Sequence, residues 1–243
     1  MLTMRTIEIQ FFLRKEETIY VRHHFIFGYF AAYLFLLIWG IKLAARYGWN
    51  DLSNVLLLVI IGLVYDNGVL AVGKFIGEGS LLENLSYPRF YMHAFFTPLL
   101  VLFSLGAMKK ADFKWAFKKW FQAIFYLLTL GLIVYELFSE VLGLTLEANW
   151  KYGVLSYSNV EPASGVPLMV LFVSLILIFA SIIVWRKQGW IWFFVGTLIM
   201  FLGNAFPISL PSAAITNAFE LILIVSLFFT KRFQDTRSFK QST

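Results

Sequence analysis

Long apolar stretches follow one another along almost the whole chain. Windows of about 20 residues, the length that crosses roughly 30 Å of hydrocarbon as a helix, recur with short polar connections between them. They run over residues 25–45, 54–75, 88–107, 118–139, 166–185, 189–206 and 209–230. Segments 53–64 and 168–184 are rich in Val and Ile, but an open strand cannot satisfy its backbone in lipid. The pattern therefore predicts an all-α fold, a polytopic integral membrane bundle of seven transmembrane helices.

The polar positions divide the chain into one large domain and two ends. Residues 25–230 form the predicted transmembrane domain. Residues 1–24 mix charged and apolar side chains and lack the uninterrupted apolar core of a signal peptide. This mixture is typical of an interfacial helix, so we expect an interfacial N-terminal segment. Residues 231–243 are predicted to be a basic cytoplasmic tail.

Composition supports a membrane location. Hydrophobic residues make up 60% of the chain and charged residues 14%, against about 45–50% and about 25% in soluble domains. The mean hydropathy is +0.76. The absence of cysteine excludes disulfides, thiol catalysis and Cys-ligated metals. We expect an integral protein of the plasma (cytoplasmic) membrane of a prokaryote, with the lipid bilayer as its surroundings.

The distribution of charge predicts the orientation. With seven spans, thirteen of the 20 Lys and Arg residues lie on the side of the C-terminus, whereas eight acidic residues lie on the opposite side and three on the C-terminal side. By the positive-inside rule the C-terminus is cytoplasmic and the N-terminus outside. A basic rim beside anionic headgroups explains the pI near 9.4. No pattern typical of nucleic-acid binding is present.

Several polar side chains are predicted to lie at bilayer depth, where a charged group costs about 2.5–3.5 kcal/mol. The predicted catalytic pair is Asp66 and Glu220, and the predicted substrate-binding residues are Asn67, Arg89, His93, Glu136, Asn204, Thr216 and Asn217. The helical rise places both members of the pair roughly 13–18 Å from the outer ends of their helices. We therefore expect one cavity open to the outside, with the pair at its floor and Arg89 at its mouth.

Local spacing adds detail to this cavity. Thr216, Asn217 and Glu220 share one face of the predicted last helix. Gly77 and Gly79 permit a tight turn before the third helix, which Pro88 is expected to begin. Arg89 and His93 then lie on one face, where they are suited to an anionic headgroup or a diphosphate.

Simpler interpretations of the same residues stay open. The amides, with Thr216, are equally consistent with hydrogen bonds between helices. Glu136 is consistent with an interfacial position at a helix end. Arg89 is consistent with snorkelling to the membrane surface.

Other chemistries find less support in the sequence. No His-x-x-x-His or Glu-x-x-His pair suggests a metal site, and the last predicted helix has no buried lysine for a retinal Schiff base. No nucleophile motif of a serine hydrolase is present. We therefore expect no cofactor and no metal.

The chain nevertheless resembles one family. A seven-helix membrane protein of this length, with Asp66 on its second helix and Glu220 on its last, resembles the small membrane-bound terpene cyclases of fungal meroterpenoid and related bacterial pathways. The resemblance consists of the layout and the two acids. It implies that this pair protonates an epoxide or alkene and guides a carbocation cascade.

The predicted function is therefore an integral membrane enzyme that uses carboxylic acid/base chemistry on an isoprenoid or other lipophilic lipid substrate. A proton-coupled transporter or lipid carrier that uses the same carboxyls is the main alternative, and a hydrolase directed at lipid headgroups is the third. An apolar pocket closed at the cytoplasmic end favours an enzyme. A polar path that continues through the cytoplasmic half favours a carrier.

Overall fold

The computed structural model describes residues 2–151, 153–160, 167–205 and 213–242, and the side chains of 25–150, 153–160, 167–203 and 217–240. Helices dominate this part of the chain. They are α1 (Leu2–Tyr47), α2 (Leu56–Ile76), α3 (Ser80–Phe96), α4 (Leu99–Lys110), α5 (Lys119–Glu136), α6 (Leu168–Gln188), α7 (Trp192–Ala205) and α8 (Ala213–Ser242). Two strands, β1 (Leu146–Lys151) and β2 (Val154–Asn159), complete the fold.

Five helical stretches of the described chain have the length and apolar composition to cross a membrane. They are Phe25–Tyr47, Leu52–Ile76, Ser80–Lys110, Lys119–Val141 and Leu168–Gln188. The third stretch combines α3 and α4, which meet at Pro98 because proline has no N–H to donate to the preceding turn. The shorter α7 is apolar over Trp192–Gly203. The predicted membrane-compatible helical bundle is confirmed at this level, including helix for 53–64 and 168–184.

The helices pack around one apolar core. Phe103 of α4 meets Phe193 of α7 edge-on, with ring centroids 5.9 Å apart. Phe228 of α8 packs against Trp39 of α1 at 5.0 Å. Both geometries suit the aromatic quadrupole. This core joins α1, α2, α4, α6, α7 and α8 into a single unit.

An antiparallel β-hairpin corrects the all-α prediction. β1 pairs with β2 in the register Leu146↔Asn159 to Lys151↔Val154. The hairpin packs on α2 and α3 through Leu155 and Tyr157, and a Cβ at Gly73 of α2 would overlap the carbonyl oxygen of Leu155. The strands hydrogen-bond to each other beside the α2–α3 turn, at the end of the bundle, so they avoid the cost of an open strand within a span. We call this end the hairpin end.

Helix boundaries differ from the sequence expectation at three places. α1 continues without a break through residue 24, and α8 continues through residue 231. The turn between α2 and α3 uses Gly77 and Gly79 with positive φ, as predicted. However, α3 begins at Ser80, and Pro88 lies inside it. The prediction that Pro88 begins this helix is wrong, because the glycines end α2 early enough for about two helical turns before the proline.

A buried charge cluster lies at the opposite end of the bundle, which we call the basic end. Its members are Asp51, Lys110, Lys231 and Asp235. Lys110 contacts both aspartates, and Lys231 Nζ lies 2.6 Å from Asp235 and 3.5 Å from Asp51. Lys231 is 1% exposed and Asp235 4%. The sequence places these residues on an exposed rim, whereas tertiary contacts bury them.

Electrostatics within the charge cluster are balanced. Burial by itself raises the pKa of Asp51, but attraction and a hydrogen bond from Lys110, with smaller effects from the Ser53 N–H and Lys231, hold that pKa below its usual value. Two lysines face two aspartates, so the cluster is neutral when all four are charged. It ties α4 and α8 to the connection between α1 and α2.

Candidate functional site

A cavity of about 450 Å³ lies between α2, α3, α4, α6 and α8. Its two halves differ in chemistry. Towards the hairpin end its walls carry the ionisable side chains Asp66, Arg89, His93, Glu136, Glu140 and Glu220. Towards the basic end its walls are aliphatic, with Val59, Leu100, Leu177, Leu223 and Ile224 among them. The cavity is thus amphipathic and complementary to a lipid, which also has one polar and one apolar part.

Asp66 and Arg89 form an ion pair in the polar half. Arg89 Nε donates a hydrogen bond to Asp66 Oδ1 over 2.7 Å. The expected separation of Arg89 at the mouth from Asp66 at the floor is therefore wrong. Since α3 begins at Ser80, Arg89 lies nine residues inside the helix, a depth of about 13 Å. This depth brings it level with Asp66.

Arg89 keeps one donor free of protein partners. Its Nη1 is buried and makes no hydrogen bond with the described residues. Its guanidinium lies 6.0 Å from the ring of Phe90, another residue of the cavity wall. An unpaired buried donor costs roughly 1–3 kcal/mol. A ligand oxygen in the cavity would relieve this cost.

Glu220 lies in the same cavity without such a cation. α8 supplies this residue to the polar half, and in the described part of the chain it makes neither an ion pair nor a hydrogen bond. The two predicted acids therefore line one cavity, but in different environments. One is paired with a guanidinium, and the other faces the cavity unpaired.

Tyr33 of α1 is a residue that sequence reasoning missed. Its side chain is fully buried, and its hydroxyl has no partner among the described groups. α1 packs against both α2 and α8, the helices that carry Asp66 and Glu220. A tyrosine in an apolar helix is ordinary in sequence, so only the convergence of α1, α2 and α8 identifies it.

His93 and Glu136 form the side of the cavity near α5. His93 Nε2 lies 4.0 Å from Glu136 Oε1, within ion-pair range when the imidazole is protonated. Its other nitrogen, Nδ1, is 3.2 Å from the Thr97 hydroxyl. Glu140 follows on a π-helical turn, residues 137–141, and also lines the cavity. Sequence reasoning left Thr97 and Glu140 out of the site.

The remaining predicted residues are placed differently. Asn67 is fully buried and donates to the Leu63 carbonyl over 3.0 Å. Asn217 Nδ2 donates to Asn67 Oδ1 over 3.4 Å. This contact joins α2 to α8 beside the acids, so the two amides brace the site from outside the cavity wall. The side chains of Asn204 and Thr216 lie outside the described residues.

An apolar layer separates the cavity from the charge cluster. On α8, Leu227 and Phe228 lie between Ile224 in the cavity and Lys231 in the charge cluster, and both are at most 1% exposed. On α4, Phe103 is likewise fully buried. In the described chain, buried apolar side chains thus lie between the cavity and the charge cluster.

Neither a metal site nor a known relative adds to this description. Among the described residues, no group of three or more His, Asp or Glu side chains is arranged to hold a metal ion. Comparison with known protein families, with curated proteins and with solved structures gave no match. The chemistry of the cavity itself must therefore carry any functional argument.

Proposed function

We propose that this chain is an integral membrane enzyme that performs carboxylic acid/base chemistry on an isoprenoid or other lipid, in the manner of a terpene cyclase. In this proposal seven helical rods span the plasma membrane of a prokaryote, with α3 and α4 as one kinked rod. The N-terminus is outside and the charge cluster lies on the cytoplasmic side. The cavity then occupies the outer half of the bilayer.

The observation that carries the proposal is the contrast between Glu220 and Asp66 within one amphipathic cavity. Asp66 has a guanidinium at 2.7 Å, which stabilises it as a carboxylate. Glu220 has no cation partner among the described residues, and it shares the polar half of the cavity with the carboxylate of Asp66, which disfavours a second negative charge there. Glu220 is thus suited to donate a proton, and Asp66 to stabilise positive charge or accept a proton.

The reaction needs no second substrate. Glu220 gives its proton to an alkene carbon or an epoxide oxygen of the lipid, and the resulting carbocation is attacked by another double bond of the same molecule. Loss of a proton to Asp66, or to a group in contact with it, ends the sequence. Between turnovers Asp66 releases its proton to solvent and Glu220 takes one up, so no proton is consumed and the lipid is isomerised. The α6 wall of the cavity extends about 15 Å from Pro167 to Leu177, and the aliphatic half of the cavity towards the basic end excludes water from the cation.

Deuterium incorporation tests this proposal. Purified protein is incubated in D₂O with the lipids that co-purify with it and with synthetic polyprenyl epoxides, and products are analysed by mass spectrometry. We expect a cyclised product that carries one solvent deuterium. Glu220→Gln should abolish it, whereas Glu147→Gln, an isosteric change on the exposed part of β1, should retain it. Unchanged product from the Glu220→Gln protein would refute the assignment.

The carrier alternative makes a different prediction for the apolar layer. A carrier must open the cavity towards the basic end during each cycle, whereas the proposed enzyme keeps this end closed. The chain has no cysteine, so a Leu227→Cys variant provides a unique label site. We expect no reaction with a membrane-impermeant maleimide from the basic side. Labelling that increases when lipid is added would favour the carrier.

A further inference from the structure

A second binding surface lies outside the cavity, along α7 and α8. Two neighbouring depressions, of about 450 Å³ and about 440 Å³, share Trp190 and Phe229 at their junction. One follows the apolar part of the two helices, and the other follows the basic end of α8. Together they form a continuous surface, which we call the α7–α8 groove.

The first part of the α7–α8 groove is almost entirely apolar. Its walls come from Trp192, Val195 and Ile199 on α7 and from Ile222 and Val225 on α8. Close approach of the helices forms its floor, since a Cβ at Gly196 would overlap the Ser226 hydroxyl. Such a surface matches hydrocarbon chains in shape and polarity.

The second part carries three cations. Arg232, Arg237 and Lys240 line it together with Phe233 and Thr236, and no acidic side chain is among its described lining residues. The acid nearest in sequence, Asp235, is turned into the charge cluster. The positive charge of this part is therefore not neutralised within the groove.

Aromatic contacts hold the junction in a fixed shape. The Trp190 ring stacks on Phe233 with centroids 4.5 Å apart and an interplanar angle of 9°. Its Nε1 donates to the Thr230 hydroxyl over 3.0 Å. The guanidinium of Arg232 lies 4.9 Å from the Trp39 ring. The junction between the apolar and cationic parts is thus built by tertiary contacts.

We infer that the α7–α8 groove binds an anionic phospholipid, with its acyl chains along the apolar part and its phosphate on Arg232, Arg237 and Lys240. Charge complementarity selects this occupant. The apolar groove ends in uncompensated cations, and these lie at the same end of the bundle as the other basic residues. An anionic headgroup of the cytoplasmic leaflet matches these cations. This inference is independent of the reaction in the cavity.

Native mass spectrometry with two lipids of identical chains tests the inference. Dioleoyl phosphatidylglycerol and dioleoyl phosphatidylcholine are titrated into detergent-solubilised protein. The groove variant Arg237→Gln/Lys240→Gln is compared with Arg186→Gln/Lys187→Gln, which removes two exposed cations from the same end outside the groove. At about tenfold per 1.4 kcal/mol, with about 1 kcal/mol per cation, we expect the groove variant to lose about 30-fold in phosphatidylglycerol affinity. The control should lose little.

The contact between the acyl chains and the apolar part of the groove is tested separately. Ile222→Trp fills the apolar part, whereas Ile61→Trp adds the same bulk at a similarly exposed position of α2, with 39% exposure against 40% for Ile222. We expect only the first variant to weaken phosphatidylglycerol binding, by about tenfold, the equivalent of two lost methylene contacts. Inorganic phosphate should not compete, since it cannot use this part.

Three results would overturn the inference. Equal losses in the groove variant and the Arg186/Lys187 control would indicate general attraction to the basic end. Full phosphatidylglycerol affinity in the groove variant, whose fold is verified by circular dichroism, would exclude the headgroup contacts. A lipid-free dimer that Ile222→Trp dissociates would assign the groove to a second copy of the chain.

Discussion

Removal of one carboxylate from the charge cluster should destabilise the protein strongly. Asp235 contacts both Lys110 and Lys231 and is 4% exposed. Asp235→Leu therefore leaves the buried Lys231 and the partly buried Lys110 with one remaining aspartate. Loss of one partner from a buried ion pair typically costs about 3–5 kcal/mol. We expect the free energy of unfolding to fall by that amount.

A double variant separates lost charge pairing from lost packing. Lys231→Met/Asp235→Leu removes one cation and one anion together and leaves Lys110 paired with Asp51. Replacement of a buried ion pair by apolar residues of similar size is often neutral or stabilising. We therefore expect the double variant to lie within about 1 kcal/mol of the native protein or above it, despite the large loss in Asp235→Leu alone.

The assay is reversible unfolding in mixed detergent–SDS micelles, followed by tryptophan fluorescence and far-ultraviolet circular dichroism. Glu147→Leu on the exposed face of β1 is the control, with an expected effect within about 0.5 kcal/mol. A loss below about 1 kcal/mol for Asp235→Leu, or a double variant as unstable as the single one, would refute the reasoning. The first result would mean that water solvates the remaining charges. The second would mean that lost packing, and not lost charge pairing, accounts for the destabilisation.

Three further predictions concern acid sensitivity, backbone contact and buried polarity. Lys110 outweighs the opposing effect of burial and lowers the pKa of Asp51 in the folded protein. Ionised Asp51 therefore stabilises the fold fully above the unfolded pKa of about 3.9. This stabilisation is lost as pH falls through the folded pKa. Melting temperatures between about pH 5 and about pH 3 should fall less steeply for Asp51→Asn. Gly73→Ala should destabilise the protein by about 1–3 kcal/mol, because the alanine Cβ would overlap the Leu155 carbonyl oxygen. SDS titration should detect this loss, and wild-type stability of the variant would contradict the close packing. Tyr33→Phe removes a buried hydroxyl that has no partner among the described residues, and it should raise the free energy of unfolding by about 1 kcal/mol. A loss would mean that the hydroxyl bonds to a group of the site.

The membrane-compatible helices were predictable from the sequence because their signal is local. Apolar length and a low number of charged residues are sufficient to predict Leu52–Ile76 or Leu168–Gln188 as helices. The choice of helix over strand follows from backbone hydrogen bonding in lipid, which is also local. The hairpin was missed because β1 and β2 are short, and their stabilisation comes from packing on α2 and α3.

The candidate site was predictable in membership but not in arrangement. Asp66 and Glu220 stand out because an ionisable group in an apolar window is unusual wherever it occurs. The Asp66–Arg89 ion pair depends on where α3 begins, and that start is set by the turn at Gly77 and Gly79. Tyr33 depends on three helices that meet, so no window around it carries the signal.

The sequence by itself determined that the chain forms apolar helices and that its basic residues collect at one end. It also showed carboxyl groups within apolar stretches, where a charge in contact with lipid is costly. Only the tertiary structure decided which charges are paired. It placed a guanidinium on Asp66 and, among the described residues, none on Glu220. It also buried Lys231 with Asp235, while the neighbouring Arg232 and Arg237 line the α7–α8 groove. The physical reason is that hydrophobic length is a property of consecutive residues, whereas the stability of a buried charge depends on groups that distant segments bring within a few ångströms.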